Sequence, residues 1–125
     1  MKVHHVALTV GNLDKSISFY TSAFGCKAVK RFERKDLGGK AAFLKCHNIL
    51  LELWQFNSRP EKRDLKSMKT IGLHHLAFQS EAIDRAYLNL IRAGYDVSEP
   101  KKGASGGYYF FVKDPDRIMV EIYAS

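Results

Sequence analysis

The run Val3-His4-His5-Val6-Ala7-Leu8 returns seventy positions later as Leu73-His74-His75-Leu76-Ala77-Phe78. An acidic residue inside an apolar run follows each copy. Glu52 lies in Ile49-Leu50-Leu51-Glu52-Leu53, 47 residues after His5, and Glu121 in Ile118-Met119-Val120-Glu121-Ile122, 46 residues after His75. A chain that repeats a fold unit repeats its inward-facing positions. Here those positions carry two imidazoles and two carboxylates, a divalent-metal ligand set.

The elements between the repeated runs also recur. Residues 3–10 read as a strand, and a helix follows to about Phe24, with Asn12 or Asp14 as its cap and Gly25 as its stop. Strands are expected over 27–33, 41–46 and 49–56, with a loop at 36–39 and a turn at His47 and Asn48. The polar stretch 57–71 reads as a linker, with room for a helical turn over 61–67. A strand over 74–80, a helix over 81–93 stopped by Gly94, and strands over 95–98, 108–113 and 118–123 complete the second copy. The expected class is α+β: two tandem βαβββ modules, 1–56 and 72–125, forming a curved mixed sheet around a metal cavity in one domain of 125 residues.

Alternation along each strand decides which side chains share a face. His5, Ala7 and Thr9 oppose Val6, Leu8 and Val10, and Leu50, Glu52, Trp54 and Phe56 oppose Leu51 and Leu53. His75, Ala77 and Gln79 oppose Leu76 and Phe78, while Met119, Glu121 and Tyr123 oppose Val120 and Ile122. The apolar faces suit helices; the other faces suit a ligand cavity. A buried carboxylate needs a proton, a cation or a metal, and neither glutamate has a basic residue two positions away on its own face. His5, Glu52, His75 and Glu121 are therefore the expected metal ligands. His4 and His74, one position out of register and directed toward the helices, are reserves, and His47 is expected to be exposed. Two His and two Glu with water in the remaining places suit Ni, Co, Zn, Mn or Fe.

Composition narrows the setting. No window is apolar enough for a membrane span, and the N-terminus runs straight into a strand pattern without a leader. Cys26 and Cys46 lack metal-type spacing; reduced thiols of a cytoplasmic protein are the simplest reading, with a disulfide between them as the alternative. The formal charge is +7, with basic clusters at Lys27, Lys30, Arg31, Arg34, Lys35 and at Arg59, Lys62, Arg63, Lys66, Lys69. No nucleic-acid motif accompanies them, so they read as solvated surface, and no specific nucleic-acid or membrane partner is expected.

The chain resembles the vicinal oxygen chelate superfamily, which includes glyoxalase I, methylmalonyl-CoA epimerase, extradiol dioxygenases, fosfomycin-resistance enzymes and bleomycin-binding proteins. The resemblance covers essentially the whole chain. It rests on His5-Val6-Ala7-Leu8-Thr9-Val10 with the helix Leu13 to Tyr20, on Leu50-Leu51-Glu52-Leu53, on Leu73-His74-His75-Leu76-Ala77-Phe78, and on Phe111-Val112-Lys113-Asp114-Pro115-Asp116 with Val120-Glu121-Ile122. His5, Glu52, His75 and Glu121 fill the glyoxalase I ligand pattern; the epimerase usually carries glutamine where Glu52 stands. The implied activity is that of a glyoxalase I-like lyase or isomerase, abstracting a proton next to a carbonyl through a metal-bound enediolate.

By the same resemblance Glu121 is the base and Glu52 its symmetric alternative. Thr9, Trp54, Phe111, Met119 and Tyr123, with Phe43, line the substrate space. Thr9 stands where glyoxalase I has arginine, and Trp54-Gln55-Phe56 where it has asparagine, so a glutathione-type substrate is not expected. Arg117 replaces the glycine usual after Asp-Pro-Asp. A small-molecule substrate and a homodimer are the expected partners. Two other functions fit the fold: a binding or resistance protein for a small molecule, and an extradiol-type dioxygenase.

Overall fold

The computed structural model describes every residue except Arg59, Leu65 and Lys66. Two compact units divide the chain, Met1–Lys62 and Arg63–Ser125. In the first, strand β1 (His5–Thr9) leads to helix α1 (Leu13–Phe24), then to β2 (Lys27–Arg34), β3 (Gly39–Cys46) and β4 (Ile49–Phe56), with a 3-10 turn at Lys35–Leu37. The second runs β5 (Leu76–Gln79), α2 (Ile83–Arg92), β6 (Lys101–Lys102), β7 (Tyr108–Lys113) and β8 (Met119–Ala124). Each unit builds its own four-stranded sheet, ordered β1-β4-β3-β2 and β5-β8-β7-β6. The first and last strands of a unit pair in parallel, and the remaining pairs are antiparallel. The α+β duplication is thus present as two mixed sheets, each with one helix.

Local chemistry explains the element ends. Asn12 is the cap of α1, its Oδ1 accepting from Lys15 N at 3.0 Å, and Gly25 in the left-handed region returns its N–H to Thr21 O. Asp14 is inside the first turn instead, paired with Arg31 at 2.9 Å. Gln55, on the helix-facing side of β4, accepts from Leu13 N at 2.7 Å and so anchors the start of α1 to the sheet. Under α1 lie the fully buried Ala42, Leu44, Leu51 and Leu53, together with Leu13, Ile17 and Tyr20 of the helix itself. In the second unit Phe110, Val112, Val120 and Ile122 form the matching layer, with Tyr87 of α2 edge-on to Phe110. No helix among the described residues is long and apolar enough to cross a membrane.

Three expectations need correcting. The strand foreseen over 95–98 reduces to one isolated bridge, Val97 to Val112. Ser98 N donates to Phe111 O, but Phe111 N turns to Ser98 Oγ at 2.9 Å, so a side chain replaces the backbone acceptor and the ladder stops. Beyond Pro100, which has no N–H to give, only the two-residue β6 resumes pairing. The strand foreseen from 74 begins at Leu76, leaving both histidines of that doublet before it. Finally, Cys26 and Cys46 are bonded to each other, Cα atoms 4.3 Å apart, so they are not reduced thiols. Cys46 points with Ala42 and Leu44 to the helix side, where the chain leaves α1 and presents Cys26.

Arg117 adopts φ 65°, the conformation a glycine would take without steric cost. Asp114 holds this turn, its Oδ1 accepting from Asp116 N at 2.8 Å and from Ile118 N at 2.9 Å. Of the expected basic cluster in the linker, Arg59 and Lys66 lie outside the described residues, as does part of the turn foreseen over 61–67; Lys62, Arg63 and Lys69 are exposed. In the other cluster, Arg31 is taken up by Asp14, and Arg34 forks onto Asp36 at 2.9 and 2.7 Å. The hydrogen bonds from Arg34 hold the Asp36 carboxyl below the usual carboxylate range.

The disulfide gives a direct test. The cross-link joins residues 20 positions apart, and a loop of about that length contributes about 3 kcal/mol. The unfolded protein should show no titratable thiol until reductant is added. Reduction should lower the free energy of urea unfolding by about that amount, and two thiols titrating in untreated protein would refute the bond.

Candidate functional site

Register on the first sheet gathers one polar cluster. Phe43 of β3 lies opposite Glu52 of β4, and Ala7 of β1 lies opposite Glu52 on its other edge. His5, two positions before Ala7 on the same face, places its ring edge-on to Phe43 at 5.5 Å. Glu52 is only part-exposed, and one of its oxygens, Oε1, accepts a hydrogen bond from Trp54 Nε1. Trp54 in turn stacks on Phe56, ring centroids 5.6 Å apart and planes 7° from parallel, with Phe32 edge-on to Trp54. Gly39 makes room for that stack, since a Cβ there would come within 2.9 Å of the Phe56 ring. Thr9 is exposed at the far end of β1, opposite Trp54.

The second sheet repeats the arrangement. Phe111 of β7 is opposite Glu121 of β8, and Ala77 of β5 is on its other edge. The ring of His75 is edge-on to Phe111 at 5.3 Å. His75 Nε2 and Glu121 Oε2 are 2.5 Å apart, with the two side chains 22% and 15% exposed. Tyr123, the counterpart of Trp54, does not reach the glutamate; its hydroxyl lies 3.4 Å from Ser105 Oγ. Gly107 clears the space for this ring as Gly39 does in the first half, a Cβ there falling 2.5 Å from the Tyr123 hydroxyl. Met119 is opposite Lys113 on the same face.

Each sheet therefore assembles one His and one Glu of the expected four ligands. The first also gathers Thr9 and Trp54, and the second gathers Phe111, Met119 and Tyr123. Among the described residues, no group of three or more His, Cys, Asp or Glu side chains is positioned to hold a metal ion. The donors nonetheless fit a divalent transition metal chemically: imidazole nitrogens and carboxylate oxygens, side by side at His75 and Glu121, with no Lys or Arg ion pair to any of the four among the described residues.

The reserve histidines are not where alternation would send them. His4 is not turned to the helix layer: its ring lies 6.2 Å from Phe43, and His4 Nδ1 is 2.8 Å from His5 Nδ1. His74 Nδ1 is likewise 2.7 Å from His75 Nδ1. Both residues precede the first residue of a strand, where the pleat does not yet dictate side-chain direction. His47 is exposed in its turn as expected, with Nε2 2.8 Å from Phe24 O. Neither the imidazole pairs nor the indole–carboxylate bond was read from the sequence, although the repeated doublet was a visible signal for the former.

Comparison with known proteins agrees with this fold. The family model described as Glyoxalase/Bleomycin resistance protein/Dioxygenase superfamily matches residues 2–122. The chain is 31% identical to a probable lactoylglutathione lyase of Vibrio parahaemolyticus, over 97% of this chain and 88% of that protein. It is 27% identical to a mitochondrial methylmalonyl-CoA epimerase of Dictyostelium discoideum, over 97% of this chain and 76% of that protein. Its fold superposes on that of a glyoxalase family protein from Enterococcus faecalis with a TM-score of 0.86 at 24% identity, covering 98% and 96% of the two chains.

The bond from Trp54 to Glu52 can be isolated. Trp54→Phe keeps an aromatic ring but deletes the indole N–H, and a hydrogen bond to a charged group contributes about 1.5–3 kcal/mol. A double-mutant cycle with Glu52→Ala in urea unfolding should return a coupling near the lower end of that range. A coupling of zero would mean that the indole does not hold the carboxylate.

Proposed function

The chain belongs to the glyoxalase/bleomycin resistance protein/dioxygenase superfamily, and on that footing we propose that it is a divalent-metal-dependent lyase or isomerase that removes a proton next to a substrate carbonyl. One observation carries the reading. The same His–Phe–Glu group is built twice, with ring separations of 5.5 and 5.3 Å and the same phenylalanine-to-glutamate register. A module that only enclosed an apolar ligand would gain nothing from two poorly solvated carboxylates.

The proposed ligands are His5, Glu52, His75 and Glu121, two from each module, taking Ni, Co, Zn, Mn or Fe. Such a cation would act as a Lewis acid toward the oxygens of the substrate. Glu121 is the proposed base. Among the described residues its carboxylate is engaged by His75, itself a proposed ligand, whereas Glu52 is pinned by the Trp54 indole and is the less able to swing toward a carbon-bound proton. A positioned base supplies about 10²–10⁴ in rate, roughly 3–5 kcal/mol of barrier. Thr9, Trp54, Phe111, Met119 and Tyr123 line the substrate space and keep water from the reacting carbon. With Thr9 in place of an arginine, and Trp54 and Phe56 stacked where an asparagine would stand, the substrate is a small carbonyl compound other than a glutathione adduct.

A homodimer belongs to the same proposal, so that one chain's modules have a second chain's modules available to complete the ligand set. So does a cytoplasmic setting, in which the Cys26–Cys46 bond must withstand a reducing compartment, with both cysteines buried.

The test is Glu121→Gln. Turnover on a panel of thiol hemithioacetals and acyl-CoA thioesters should fall by about 10²–10⁴, with circular dichroism unchanged. Unchanged turnover would exclude Glu121 as the base. Untagged protein that carries no stoichiometric metal, binds an aromatic ligand tightly and forms no product would instead make it a sequestering protein.

A further inference from the structure

We infer that Lys27, Lys30 and Lys45 form an anion-recognition corner beside Glu52, so that the substrate carries a carboxylate or phosphate remote from its reacting carbonyl. The inference rests on the reading above, in which the Glu52 face is substrate space. Registers on the first sheet give the layout. One row across the strands is His5, Leu50, Lys45 and Lys27; the next on the same face is Ala7, Glu52, Phe43 and Lys30. The three lysines thus occupy adjoining positions of β2 and β3, with Phe43 between Lys30 and Glu52.

A break in strand geometry puts Lys30 there. Upstream, Cys26 is bonded to Cys46 on the helix side, and Ala28 pairs with the buried Leu44 of that side. Regular alternation would send Lys30 and Phe32 to the helix side as well. Instead the register of β2 against β3 shifts by one residue at Val29, a β-bulge. Side-chain contacts follow the change. Arg31 reaches Asp14 of α1 at 2.9 Å, while Phe32 is edge-on to Trp54 at 5.4 Å. Bulges beside active sites re-aim side chains in this way, and this one turns a cation and an aromatic ring toward the face that carries Glu52.

The charge of this corner is also uncompensated. Lys27 and Lys45 are directly opposite each other, and like charges so placed cost stability. Among the described residues no acid pairs with any of the three lysines, whereas Arg31 and Arg34 of the same strand each have an aspartate. Lysine on an edge strand such as β2 deters pairing with another sheet. β3 is interior, so Lys45 has no such duty. Adjacent strands are about 4.8 Å apart, which sets the backbone of Lys30 about 10 Å from that of Glu52. A substrate whose acid and carbonyl are separated by an aromatic ring would lie along Phe43 and meet both.

Trp54 is the only tryptophan in the chain, so its indole N–H resonance reports binding at this face without a metal. Metal-free protein should bind 4-acetylbenzoate and 4-acetylphenyl phosphate more tightly than the neutral methyl 4-acetylbenzoate, and the tighter acid identifies the group. Lys30→Gln should weaken the acids by up to about fivefold, the range of exposed ion pairs, and leave the ester unchanged. Replacing all three lysines with glutamine should erase the preference. Lys40→Gln removes the same charge from the helix-facing side of β3 and should change neither affinity. Lys45→Gln should also raise the urea midpoint, because it relieves the repulsion with Lys27. Equal affinity for acids and ester in the wild type, or an equal loss in Lys40→Gln, would overturn the inference. These titrations involve neither metal nor turnover. A Glu121→Gln variant with full turnover would therefore end the lyase reading and leave the preference for an acid standing.

Discussion

Both glutamates stand on a strand that is hydrogen-bonded along both edges. β4 lies between β1 and β3, and β8 between β5 and β7. A side chain on such a strand cannot swing around an open edge to reach water; it belongs to one face or the other. Leu51, Leu53, Val120 and Ile122 take the helix faces and are buried. Glu52 and Glu121 are left on the opposite faces among aromatic rings, where a carboxylate must find a donor or a cation. The neighbouring phenylalanines follow from that placement, because they are the residues paired across from each glutamate. The histidines follow as well, because the parallel strand on the other edge begins at or just after them.

The two halves part company two residues beyond each glutamate. Trp54 carries a donor long enough to reach back to Glu52 along the same face. Tyr123, in the corresponding place, turns its hydroxyl toward Ser105 above the gap left by Gly107, and Glu121 is left to His75. One carboxylate is held by a fixed indole, and the other by an imidazole whose second nitrogen is coupled to a further imidazole. A duplicated frame has thereby produced two chemically different acids. Reactions that need one group to bind and another to move a proton depend on such an inequality.

The site also shows where strand periodicity stops applying. Alternation put Glu52 and Trp54 on one face of β4 and Glu121 and Tyr123 on one face of β8, and these part-exposed residues do alternate with the buried Leu51, Leu53, Val120 and Ile122. It failed for His4 and His74, which precede the first strand residue and turn beside their neighbours. It failed again at 95–98, where the hydroxyl of Ser98 captures the N–H of Phe111 and ends the ladder. In both places a side-chain hydrogen bond decided what the pattern of apolar residues could not.

By itself the sequence determined the duplication, the class of fold, the Gly25 stop of the first helix and the alternation of faces inside the strands. These depend on local preferences and on a two-residue period, which are written along the chain. Tertiary structure alone decided that Cys26 meets Cys46, that Gln55 anchors Leu13 across 42 positions, that the Trp54 indole donates to Glu52, and that each histidine doublet closes on itself. Those outcomes depend on distances between particular atoms once sheets and helices have packed, and such distances have no counterpart in the order of residues.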